Sequence, residues 1–151
     1  MEAPKGKSVV KGIEKKLFNY HQYKTAIKNL QRQLDFIMPN ITASYELQEG
    51  GKGTFSIASS TEKAAIDRIE SRRALNLHDQ IRLYTLIVSC IDEAIHALDH
   101  RDQCFIEERY FKGRSISEIS EELGYSVPHV YKRRDQIMQH LSISLASILD
   151  L

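Results

Sequence analysis

The chain has 151 residues, a length that predicts one domain or a small domain with an extension. Its 21 Lys+Arg against 20 Asp+Glu leave a net charge of +1, which excludes a protein coated in basic surface; any binding to nucleic acid must come from a local patch. Cys90 and Cys104 lie inside apolar helical patterns, which argues against a disulfide-stapled secreted scaffold and for a reducing compartment. No stretch approaches the roughly 18 apolar residues of a membrane span, and MEAPKGKSVVKG lacks the apolar core of a signal peptide. The expectation is a cytoplasmic, all-α protein with long helices, since proline and glycine are scarce (3 and 7).

From about Ser8 to Met38, apolar residues including Ile13, Leu17, Tyr20, Leu30, Leu34 and Ile37 recur at helical steps, predicting one amphipathic helix that Pro39 ends. Residues 1–40 carry eight basic against three acidic side chains, a local charge of +5. Three readings of this segment stay open. Lys11, Lys15, Lys24 and Lys28 meet DNA phosphates, Tyr20, Tyr23 and the apolar seam hold a dimer partner, or the helix packs internally with solvated lysines.

Residues 41–60 have no helical period and read as a linker, from about Ile41 to Ser59. Its Gly50-Gly51-Lys52-Gly53-Thr54 lacks the GxxxxGK[ST] spacing and preceding strand of a phosphate-binding loop. Ser59 and Glu62 stand in capping-box relation and predict the start of a long helix over 61–98. Leu77, Ile81, Tyr84, Val88, Ile91, Ile95 and Leu98 alternate four- and three-residue steps, the seam of a helix pair or short coiled coil. The pattern leaves open whether the partner is the N-terminal helix, as in a helical hairpin, or a second copy of the chain.

Residues 99–151 read as three short helices. Asp99 is placed to cap the first, about His100 to Phe111, with Cys104, Phe105, Ile106, Tyr110 and Phe111 as its apolar face and Gly113 as the stop. Ser115 and Glu118 form a capping box for a second, with Ile116, Ile119 and Leu123 inward and Gly124 at its end. Ser126 caps the third, with Pro128 in its first turn and Val127, Val130, Ile137 and Leu141 inward. Two such helices across the turn Gly124-Tyr125-Ser126 make a helix-turn-helix pattern.

At 100° per residue, Pro128, His129, Tyr131, Lys132, Asp135 and Gln136 then face away from the core, with Arg133 and Arg134 on the flanks. In a major groove, outward residues meet base edges and flanking arginines meet phosphates. From Ser126 to Ser142 three basic residues against one acidic give +2, whereas Asp99 to Tyr125 has four against seven, −3. The expected DNA-binding residues are Ser126, Pro128, His129, Tyr131, Lys132, Arg133, Arg134 and Gln136, with Arg114 and Ser115 at the entry to the preceding helix.

The tract LDHRDQCFIEERYFKGRSISEISEELGYSVPHVYKRRDQI resembles region 4 of bacterial sigma factors, the part that reads promoter DNA. The whole chain is similar to phage and prophage transcriptional regulators of the RinA and ArpU kind. The N-terminal IEKKLFNYHQYKTAIKNL, GGKG followed by STEKAAIDR, and ERYF before the final helices carry that resemblance. It implies a DNA-binding activator of late phage genes, such as those for packaging or lysis, with promoter or operator DNA as partner and RNA polymerase as a further one. On the last helix it maps Ser126, His129, Lys132 and Arg133 to the DNA side. Val127 and Pro128 depart from the polar residues often found at the start of sigma recognition helices, leaving base readout to His129, Lys132 and Gln136.

Two rivals stand beside this reading: a DNA-recognition subunit of a phage packaging terminase, and a protein-binding adaptor acting on RNA polymerase. His96, His100 and Cys104 follow an i, i+4, i+8 spacing, but Asp99 interrupts the helix and a further ligand is not obvious, so no metal is expected. With no HExxH, nucleophile elbow or paired-carboxylate signature, the chain reads as a non-enzyme without a cofactor.

Overall fold

The computed structural model describes the backbone of residues 4–48 and 57–151 and the side chains of residues 6–38 and 61–151. The protein is all-helical, with no strand among the described residues. The helices are α1 (Pro4–Phe18), α2 (Tyr20–Gln48), α3 (Ile57–His96), α4 (His100–Ile106), α5 (Ile116–Leu123) and α6 (Val127–Leu145). A π-helical segment, Glu107–Phe111, continues α4, and a 3-10 turn, Ala146–Ile148, follows α6. Among the described residues no helix is long and apolar enough to cross a membrane.

The chain divides into two compact units, one of Met1–Lys24 with Thr85–Leu151 and the other of Thr25–Tyr84. In the second unit, Leu34 and Ile37 of α2 cluster with Ala74 and Leu77 of α3, and Leu30 and Ile81 pack against them. The α2 helix therefore serves as the partner of Leu77 and Ile81 within one chain. In the first unit, α6 packs against α1 and α5, and the π segment against α1, α4 and α5. All ten of the largest fully buried side chains belong to this unit, among them Ile13 and Leu17 of α1 and Ile137 and Leu141 of α6. There α3 buries Ile87, Ile91 and Ala94, whereas Val88 and Ile95 of the expected seam are half-buried, as is Tyr84 in the other unit. Leu77 and Ile91 of the expected seam are themselves buried.

The N-terminal segment differs from the expected single helix in its middle and at its end. The segment divides at Asn19 into α1 and α2, with helical backbone bonds kept across the junction from Asn19 N–H to Lys15 C=O (3.1 Å) and from Tyr23 N–H to Asn19 C=O (2.9 Å). Aromatic contacts flank the junction. Phe18 meets Tyr110 edge-on with ring centroids 4.8 Å apart, while Tyr20 stacks on Phe111 at 4.4 Å. These two ring pairs pack the α1–α2 junction against the π segment.

Pro39 does not end the helix, which runs on to Gln48. Proline forfeits one helical hydrogen bond, but the residues after it, ITASYELQ, include Ala, Glu, Leu and Gln, strong helix formers even without an apolar stripe. The expected linker over 41–60 is correspondingly shortened, because α3 starts at Ile57 and places Ser59 inside the helix rather than at its cap. Helix starts inferred from capping residues shift readily by two positions. The Gly50–Thr54 tract lies outside the described residues.

Most of the predicted punctuation of the last third is present. Gly113 and Gly124 adopt left-handed φ of 72° and 69°, where a side chain would be strained. Ser115 and Glu118 form a reciprocal capping box: the Glu118 N–H donates to Ser115 Oγ (3.2 Å) and the Ser115 N–H to Glu118 Oε2 (2.7 Å). That bond from the Ser115 N–H holds the Glu118 carboxyl below its usual range. Asp99 occupies its N-cap position but makes no side-chain cap bond; Gln103 instead donates from Nε2 to the Leu98 carbonyl (2.8 Å) and secures the turn.

Three expected core positions are exposed. Cys104 is exposed, one step round the helix from buried Phe105. Leu123 and Val127, which flank the α5–α6 turn, are 51% and 38% exposed. Ser120 is buried in α5 instead, its hydroxyl satisfied by the Ser117 carbonyl at 2.8 Å, and α6 adds Met138 and Leu145 to the core. Replacing Leu141 by Ala should lower stability by about 2–5 kcal/mol, and Leu123→Ala by no more than about 0.5 kcal/mol. Urea denaturation of both variants checks the assignment; equal losses would return Leu123 to the core.

Candidate nucleic-acid interface

The site is built by the turn between α5 and α6. Gly124 closes α5, its N–H donating to the Ser120 carbonyl, and Ser126 opens α6 by accepting from the His129 N–H at 3.4 Å. Pro128 occupies the first turn of α6, where its missing N–H has no helical acceptor. One face of the helix is anchored by Val130, Ile137, Met138 and Leu141, each no more than 2% exposed. The opposite face is open: Ser126, Pro128, His129, Tyr131, Lys132, Asp135 and Gln136 are all exposed. Tyr125, absent from the sequence-derived set, sets its ring 4.7 Å from that of His129, and the aromatic next to a turn glycine is the signal that marks it.

The four cations of the expected site are treated unequally. Lys132 is exposed and has no carboxylate partner among the described residues. Arg133 donates from Nε to Asp102 Oδ1 of α4 at 2.7 Å. Arg134 gives Nε (3.0 Å) and Nη2 (2.5 Å) to Glu14 Oε1 of α1, and Nη1 to Asp135 Oδ1 (2.9 Å). Arg114 bridges from Nη1 to Glu108 Oε2 (2.8 Å) and to Glu122, joining the π segment to α5. The hydroxyl of Ser115 is held by its capping box. The structure thus brings together six expected residues on one open face, Ser126 through Gln136, and commits Arg114, Arg134 and Ser115 to bonds within the fold.

Glu14 also accepts from the Tyr110 hydroxyl at 2.8 Å. Burial, reinforced by that carboxylate, pushes the Tyr110 phenol well above its usual value. Tyr20 is equally committed: it donates to Asp92 Oδ1 at 2.5 Å. Burial first, then Asp92, raises its pKa to about 12. Lys11, Lys15, Lys24 and Lys28 are exposed, Lys24 with its ammonium 5.3 Å from the Tyr20 ring. Cys104 Sγ lies 3.9 Å from His100 Nδ1, and no cluster of three metal-ligating side chains occurs among the described residues.

Comparison with protein-family models, curated proteins and solved structures finds no match to the chain.

The raised phenols have a consequence for stability. A phenol whose folded pKa exceeds its unfolded value stabilises the fold below the unfolded pKa, and that stabilisation is lost as pH rises towards the folded one. The urea midpoint should therefore fall from about pH 10 towards pH 12, with Lys112, held protonated by Glu108, acting in the same sense. Tyr20→Phe should flatten that fall; an unchanged alkaline slope would contradict the Tyr20–Asp92 bond.

Proposed function

We propose that the chain is a sequence-specific double-stranded DNA-binding transcription regulator, reading the major groove with the first half of α6. The observation that carries the reading is a capped helix with one face fixed in the core and the other presenting Ser126, His129, Tyr131, Lys132 and Gln136 to solvent. In this role α5 and α6 form the helix-turn-helix of a sigma region 4-like module. Four of the exposed residues have a base-edge counterpart: Lys132 donates to guanine O6 and N7, Gln136 pairs with adenine N6 and N7, and Val127 and Pro128 offer apolar contact to thymine methyls. The resemblance to RinA- and ArpU-like regulators makes activation of late phage genes the corresponding biological role.

A second reading has its own support. Leu123, Tyr125, Val127 and Tyr131 are between 38% and 51% exposed around one turn. Large apolar and aromatic side chains of this kind suit a protein partner, and RNA polymerase is the one the resemblance names.

Selection of duplex fragments from a genomic library at low salt, followed by fluorescence polarisation, tests the first reading. Lys132→Ala should relax preference at one base pair, with discrimination there falling by about 1–3 kcal/mol. Failure of the unaltered protein to retain any duplex would overturn DNA binding and leave the protein-partner reading in place.

A further inference from the structure

Arg133 and Arg134 are neighbours in sequence, and the structure gives them different tasks. A guanidinium carries five N–H donors in a fixed plane. Arg134 commits Nε, Nη1 and Nη2 to Glu14 and Asp135, and its side chain is 22% exposed. Arg133 commits Nε alone, to Asp102, with its side chain 41% exposed and no other partner among the described residues. Its two Nη groups, the end of the fork that grips an anion with two parallel bonds, have no partner among the described residues, on a helix whose neighbouring Lys132 and Gln136 are exposed.

Asp102 is suited to hold that fork. It stands in the first turn of α4, its side chain is 13% exposed, and its Oδ1 meets the Arg133 Nε at 2.7 Å. A bond to Nε leaves the terminal donors free yet fixes the plane in which they lie. We propose that Asp102 is a positioning residue for DNA binding, holding Arg133 so that its Nη groups grip a backbone phosphate, while Arg134 makes no phosphate contact and serves as a clamp on α1. This rests on the DNA-binding reading above and divides labour between two arginines that the sequence treats alike. It also defines what Asp102 does not do: it is not a counter-charge that DNA must displace, because the donors needed for phosphate are not the ones it occupies.

The experiment compares the full-length chain with Arg133→Ala, Arg134→Ala, Asp102→Ala, Asp102→Asn and the double variant Asp102→Ala/Arg133→Ala. Each is measured by fluorescence polarisation over a salt series, on a genomic duplex recovered by the unaltered protein. Loss of one phosphate contact lowers the slope of log affinity against log salt by about 0.9. Arg133→Ala should show that change and Arg134→Ala should not. Asp102→Ala should weaken binding by about three- to tenfold, and the double variant should lose no more than Arg133→Ala alone, since coupled residues do not add. Asp102→Asn, whose amide oxygen still accepts from Nε, should bind within about twofold of the unaltered chain.

Tighter or unchanged binding by Asp102→Ala, or additive losses in the double variant, would overturn the proposal. If Asp102→Ala fails to fold by circular dichroism, the salt slopes of the two arginine variants decide, and equal slopes overturn it. A failure of the DNA-binding reading itself shows earlier and separately, as an unaltered protein that recovers no duplex.

Discussion

The carboxylate of Glu14 is where the larger unit is joined. A single oxygen, Oε1, accepts from the Tyr110 hydroxyl and from two nitrogens of Arg134, so α1, the π segment and α6 meet at one partly buried charge. Around it Ile13 and Leu17 are fully buried. Hydrogen bonds to a charge are worth more than neutral ones, and removing one partner leaves the others unpaired in a poorly solvated place. This joint makes α1 a structural member of the unit that contains α6, although 120 residues separate Glu14 from Arg134 in the chain. The inner face of α6 is then fixed by α1 and α5, and its outer face has a defined direction.

The same ion pairs revise the electrostatics of that outer face. Counted along the sequence, Ser126 to Ser142 carries +2. In the folded chain Arg134 lies against Glu14 and Asp135, and Arg133 against Asp102. The charge left for a partner is therefore concentrated on Lys132 and on the open end of Arg133. A near-neutral protein with few uncompensated cations at its candidate interface depends on the shape and hydrogen-bonding groups of α6 rather than on a broad positive field.

What was legible in the sequence was local. The capping box of Ser115 and Glu118, the stops at Gly113 and Gly124, the Ser126 cap and the proline beside it each follow from a few adjacent residues and their backbone needs. All are present where the sequence places them. The open face from Ser126 to Gln136 was equally legible, because it is the complement of an apolar stripe. What was hidden depends on neighbours distant in sequence. The division at Asn19 accompanies contacts of Phe18 and Tyr20 to Tyr110 and Phe111; the π turn sets those two rings; and the roles of Arg133 and Arg134 depend on which carboxylate another helix brings alongside. Leu123 and Val127 have core-like spacing but sit at helix ends with nothing packed over them, a condition that no periodicity encodes.

The integration of α1 with α6 is most directly tested by native-state hydrogen exchange on the full-length chain. Amides of Ile13 to Leu17 should exchange only through the same opening that exposes Ile137 to Leu141, with matching free energies and matching dependence on denaturant. Exchange of the α1 amides at the rate of a frayed terminal helix, while those of α6 stay protected, would contradict the account.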